Sequence, residues 1–255
     1  MIPIIKTIAI NSFRETIRNK VLYNILLFAG IIIVLSISFG QWSVFSRVQV
    51  MNDFGLATMS ISGLLLAVFV GSSMLGKEIT GHTIYLMATR PIPRSYILWG
   101  KFFGVYATLF LNFVIMAIFF GVALTFSGGH IGVLHLQALF LIFMELGVIL
   151  AASLLFSVLS SPSLAAIFTI GFYIIGHFND MVGVNTLSDN QQWIATIVGA
   201  VNKLIPNLEF LNIRSAVVFS EPVALGYLGL ASLYALFYIL IFITLATVAF
   251  EKKDL

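Results

Sequence analysis

The feature that most constrains this chain is its succession of long apolar runs, at about Leu22–Phe39, Phe54–Leu75, Ile97–Phe126, Ile131–Leu159, Leu164–Phe178 and Val223–Phe250. A helix needs about 20 apolar residues to cross the hydrocarbon core of a bilayer, and most of these runs meet or exceed that length. Only 9% of the residues are charged, against 60% hydrophobic and 24 Phe. A soluble domain carries roughly 25% charged residues, so a water-soluble enzyme, a nucleic-acid binder and a disordered chain are excluded as classes. The reading is an all-α integral membrane protein with six transmembrane helices in one domain spanning residues 1–255. Having no cysteine, the chain cannot use thiol catalysis, thiolate metal sites or disulfides.

The segments between the runs carry the remaining information. Residues 1–20 are not a secretory signal, because Lys6, Arg14, Glu15, Arg18 and Lys20 are scattered through them. Ile5, Ala9, Phe13 and Ile17 recur every fourth residue, opposite Asn11, Arg14, Glu15 and Arg18, which predicts an amphipathic helix lying in the headgroup layer. The fifth run is short. Its 15 residues reach only about 22 Å, so it must extend into 179–184 or thin the bilayer. Ser160, Ser161, Pro162 and Ser163 alone join runs four and five, predicting a tight antiparallel hairpin.

Lysine and arginine set the orientation. Lys6, Arg14, Arg18, Lys20, Lys77, Arg90, Arg94, Lys101, Lys252 and Lys253 fall on one side, and Arg47, Lys203 and Arg214 on the other. This asymmetry places both termini and the loop Lys77–Lys101 in the cytoplasm. Outside, Ile194, Ile197, Val198, Val201, Leu204 and Ile205 follow helical spacing and predict an amphipathic helix within the outer segment 187–222. Inside, the loop 76–96 contains a short mixed helix ended by Pro91 and Pro93, an organised element suited to docking.

Several motifs are decoys. Gly71–Glu78 approaches the phosphate-loop pattern, but a carboxylate replaces the Mg²⁺-binding hydroxyl and the stretch ends a membrane span. The expectation is therefore that the chain binds no nucleotide and no cofactor and is not itself an enzyme. Ser60, Ser62 and Gly63 could be cast with His177 as a hydrolytic pair, yet small residues in membrane helices serve close packing first. The pairs Ala67 with Gly71 and Gly100 with Gly104 belong to that packing class. His82, His130, His135 and His177 are too scattered for a metal site, and His130 and His135 read as solvated residues beside an outer loop.

Glu145 stands out in the fourth run, with Phe140–Met144 before it and Leu146–Leu150 after it. An ionised carboxylate facing lipid would cost several kcal/mol, so it must face the bundle, a wet cavity or a polar partner, or carry a proton. Asn112 and His177, on neighbouring spans, are the expected hydrogen-bond partners. The three residues form a candidate intramembrane polar site that lines a translocation path or clamps helices together.

The order of these segments, with the Gly76, Lys77, Glu78 ending, Gly81–Leu86, Arg90–Arg94 and Gly100–Gly104, resembles the membrane-spanning permease of ABC-2 type ATP-binding cassette transporters. Within that family it is most similar to the short six-span branch that includes the permease accompanying nitrous-oxide reductase maturation. The resemblance covers essentially the whole chain. It implies an inner-membrane exporter subunit, two permease chains side by side, and separate cytoplasmic ATPase subunits that bind ATP and Mg²⁺. It further implies that residues 1–20 form a connecting helix and that 76–96 carry the coupling helix, with Glu78, His82, Tyr85, Arg90 and Arg94 docking the ATPase. Residues 187–222 would be outer re-entrant helices, and a periplasmic accessory protein is a further expected partner. Two alternatives stay open: the basic loop is a lipid-headgroup anchor, or the chain is an ion- or proton-coupled carrier or channel acting without an ATPase.

Overall fold

A computed structural model describes residues 2–42, 47–80, 93–178 and 206–252. These residues form α1 (Ile2–Ile17), α2 (Lys20–Trp42), α3 (Arg47–Thr80), α4 (Arg94–Phe126), α5 (Val133–Leu159), α6 (Pro162–Phe178), a 3₁₀ turn (Leu208–Leu211), α7 (Arg214–Phe219) and α8 (Leu225–Glu251). Among the described residues there is no strand. Helices are what a bilayer permits, because every backbone N–H and C=O must find its partner within the segment. The polar side chains obey the same rule: Thr58, Thr108, Thr169, Ser232 and Thr247 each donate to a carbonyl one turn earlier.

Four helical stretches are long and apolar enough to cross a membrane: Arg47–Met74, Ser95–Phe126, Val133–Leu159 and Leu225–Glu251. A fifth arises if α1 and α2, bent by 61° at Asn19, count as one broken span, and α6 is a shorter apolar helix. Several helices able to span the bilayer point to a multi-pass membrane protein. The sleeve of exposed Leu, Phe, Ile and Val on α2, α4, α6 and α8 suits acyl chains, which cost such side chains nothing.

The bundle is built around α5, which packs against α3, α4, α6, α7 and α8. Its buried face is small where neighbours come close, with Gly147, Ala151, Ala152, Ser153 and Ser157 all enclosed. Only Ser160 and Ser161 separate α5 from α6, as the hairpin reading required, and Pro162 opens α6 where its missing N–H costs nothing.

Two expectations change. The apolar stripe of α1 does not rest on headgroups alone, because α1 lies along α4. Gly100 and Gly104 are the seat. A Cβ on Gly104 would stand 2.5 Å from the Ala9 carbonyl oxygen and 2.6 Å from Ser12 Cβ, and one on Gly100 would stand 2.7 Å from Ile8 Cβ. The charged face of α1, with Arg14, Glu15 and Arg18, stays exposed as expected. Lys101 is not a loop cation either. It lies inside α4 at 2% exposure, and its Nζ donates to the Met74 carbonyl at 3.3 Å. A buried ammonium is tolerated only with such partners.

Candidate polar site at the middle of the bundle

Glu145 is 1% exposed, on the face of α5 turned toward α3 and α6. Its Oε1 lies 3.5 Å from His177 Nε2. That is longer than a good hydrogen bond, and Oε1 has no hydrogen-bond partner of its own. The other ring nitrogen, His177 Nδ1, lies 3.3 Å from the Tyr173 carbonyl one turn back on α6.

The two residues border a cavity of about 110 Å³ whose wall also includes Leu56, Ser60, Ile142, Tyr173, Asn212 and Arg214. Ser60 on α3 shares this wall with the Tyr173 side chain of α6. Arg214, at the start of α7, makes an ion pair of 3.0 Å with Asp53 on α3, both partly exposed. Asn212 accepts from the Arg214 N–H and donates to Glu209, which fixes the turn that delivers Arg214. A larger concavity of about 630 Å³ between α4 and α5 is lined by Phe110, Phe113, Phe120, Ile131, Phe140 and Phe143 among others. It is an apolar, open groove with no chemistry beyond accommodating acyl chains.

The structure brings His177 to 3.5 Å from Glu145, beyond a good hydrogen bond, and does not bring Asn112 there. That carboxamide donates to Thr108 of its own helix, its Oδ1 is unpartnered, and it is packed with Thr16, Leu22, Leu66 and Val70 instead. Asn112 therefore belongs to the seam where α1 and α2 meet α3 and α4. His82, Tyr85 and Arg90 lie outside the described residues, as does the amphipathic stretch expected at 194–205. Glu78 falls in the last turn of α3 and Arg94 is the first residue of α4.

The serine–histidine decoy gains proximity without gaining chemistry. Ser60 and His177 do border the same cavity, where His177 Nδ1 faces the Tyr173 carbonyl and Nε2 faces Glu145. Ser62 is buried and Gly63 abuts Leu146, as packing requires. Gly71–Glu78 runs inside α3, so its backbone N–H groups are committed to the helix and unable to cradle phosphate. Among the described residues no three of His, Asp and Glu converge as a metal set.

His135 is also more than a solvated neighbour of a loop. Its Nδ1 accepts from the Gly132 N–H at 3.1 Å, which leaves the hydrogen on Nε2, and Nε2 lies 3.1 Å from Oδ1 of buried Asn52. The ring thereby ties the start of α5 to α3. His130 is exposed, as expected.

A family model described as "Protein of unknown function (DUF2705)" matches residues 40–255, which takes in α3 through α8 and the whole polar site. The chain belongs to that family. No curated protein matches it. Membership in DUF2705 includes Glu145, His177, Asp53 and Arg214 within the matched region and leaves α1 and most of α2 outside it.

Proposed function

We propose that this DUF2705 chain is the permease subunit of an ABC-2 type ATP-binding cassette exporter, with six spans and both termini in the cytoplasm. A second permease chain completes the path, and separate ATPase subunits supply ATP hydrolysis. The observation that carries the reading is the seat of α1 on the Gly100–Gly104 end of α4. That contact joins α1 to α4, which packs on α3, and the segment between Thr80 and Pro93 connects α3 to α4 in sequence. A force applied to such a segment moves whole helices, as coupling to an ATPase requires. In this reading α2 to α6 and α8 are the six spans, α6 being the short one. Glu78, His82, Tyr85, Arg90 and Arg94 meet the ATPase, and residues 206–219 belong to a re-entrant element.

The test is co-purification of the tagged chain with a Walker-motif ATPase, followed by the double variant Glu78→Ala with Arg94→Ala. Complex recovery or transport-linked ATP hydrolysis falls while membrane insertion is unchanged. Full assembly and activity in the double variant would return the loop to a headgroup anchor. One observation favours the competing reading of a proton-coupled carrier: the carboxylate–imidazole contact in the bundle centre. An active, ATPase-free preparation would select it.

A further inference from the structure

Glu145 and His177 stand at the same height along the bundle. Glu145 precedes Leu159 by 14 residues and His177 follows Pro162 by 15, so both stand about 21–23 Å from the shared hairpin. Beyond that height α5 extends from Glu145 another 12 residues, about 18 Å, to Val133. Residues 206–214 pack against the last described turn of α6 and contribute Asn212 and Arg214 to the cavity wall. Gly176 abuts Leu208 and the Pro206 carbonyl, and the Asn207 N–H donates to the Tyr234 hydroxyl of α8 at 2.8 Å. A segment of irregular backbone and polar side chains thus forms part of the wall around the carboxylate.

The hydrogen count follows from the partners. A carbonyl only accepts, so the Tyr173 contact assigns a hydrogen to His177 Nδ1. His177 Nε2 then faces Glu145 in one of two ways: a bare nitrogen opposite a carboxyl O–H, or an N–H opposite a carboxylate. Each holds one proton between the two groups, and each is neutral overall. Without a proton a lone pair would oppose a carboxylate, and a second proton would leave an uncompensated charge in a buried site.

Of the other charges, Arg214 and Glu209 act on Glu145 with opposite sign, and each has its own partner. Asp53 of α3 engages Arg214 of α7, Asn212 engages Glu209, and the Tyr106 hydroxyl of α4 donates to the Phe143 carbonyl. Among the described residues of α6, Tyr173 and His177 border the cavity with the carboxylate, and Tyr234 of α8 is bound to Asn207. The volume of about 110 Å³ holds roughly three waters, and it is lined by hydroxyl, carboxamide and guanidinium groups that can bind them. Arg214, part of its wall, has a side chain 40% exposed and paired with Asp53.

We propose that Glu145 and His177 form a buried proton-binding site that holds one shared proton and exchanges it with the aqueous phase through water in this cavity, on the side where α5 and α8 begin. Neither an ATPase partner nor a transported substrate enters the argument, so the site stands under either functional reading.

The wild-type protein in lipid vesicles is treated with dicyclohexylcarbodiimide, which dissolves in the bilayer and attacks protonated carboxyl groups, and the modified residue is located by peptide mass. Glu145 is modified, with a yield falling at least tenfold from about pH 5 to about pH 9, and His177→Asn displaces the midpoint of that fall. An unmodified Glu145 at every pH, or a pH-independent yield, overturns the proton site. In parallel, Ser60→Cys supplies the sole thiol of the chain, at the cavity wall. A water-soluble thiol reagent modifies it in folded protein, whereas an inert thiol there overturns the aqueous route.

Discussion

Gly104 offers a sharp test of the seat between α1 and α4. A methyl group at this position would stand 2.5 Å from the Ala9 carbonyl oxygen and 2.6 Å from Ser12 Cβ. Carbon atoms are comfortable at about 3.5–4.0 Å, so α1 must retreat by about 1 Å. A gap of that size forfeits roughly a quarter to a half of each contact along the seam. Overpacking against backbone, which cannot rotate away, belongs in the upper part of the ~1–3 kcal/mol range. Alanine recovers up to about 1 kcal/mol of helix propensity, leaving a net loss of ~1–2 kcal/mol for Gly104→Ala. Gly171 of α6 is the control, because a Cβ there meets nothing within 4 Å. Gly171→Ala gains the propensity term alone, ~0.5–1 kcal/mol. At about 2–4 °C per kcal/mol, thermal unfolding of purified protein should fall by ~2–8 °C for Gly104→Ala and rise by ~1–4 °C for Gly171→Ala. A Gly104→Ala protein as stable as wild type, or two shifts of the same sign, would refute the close-approach argument.

The Asp53–Arg214 pair is partly exposed on both sides, so Arg214→Ala should cost no more than ~1 kcal/mol in thermal stability, with the difference shrinking at high salt. Orientation is testable because the chain has no cysteine. In intact cells an impermeant thiol reagent should label Ser188→Cys but not Thr80→Cys, and the reverse pattern would invert the topology.

Much of the architecture was legible in the sequence because membrane helices announce themselves locally. The apolar runs gave α2 to α6 and α8, the pair of serines before Pro162 gave the hairpin, and the spacing of Gly100 and Gly104 gave a close approach, though not its partner α1. Glu145 was marked by its surroundings alone, and His177 was named because it lies on a neighbouring span. What escaped depended on contacts far apart in sequence. Asn112 was placed with Glu145 because both lie within spans, but which face of α4 turns toward α5 is set by the packing of Tyr106 and Phe143, not by chain position. His135 looked like a loop residue until Asn52, 83 positions earlier, supplied its partner. The short α6 posed a length problem for which lengthening or thinning seemed the only answers. The extension expected at 179–184 lies outside the described residues, and Pro206 and Leu208 pack against Gly176 near the described end of α6. Asn207, Glu209, Asn212 and Arg214 are the polar residues of 206–214, but nothing in their spacing discloses depth.

The docking of residues 206–214 has a consequence for biogenesis. A segment carrying Asn207, Glu209, Asn212 and Arg214 cannot partition into lipid by itself, since its backbone and charges have no partners there. Its anchors lie on both sides of it in synthesis order: Gly176 and Asp53 emerge from the ribosome before it, Tyr227 and Tyr234 after it. The apolar helices can therefore enter the bilayer one by one, but residues 206–214 dock only once α8 has arrived. The enclosure around Glu145 is a product of final assembly rather than of insertion, and a chain truncated before Tyr227 would leave the carboxylate uncovered.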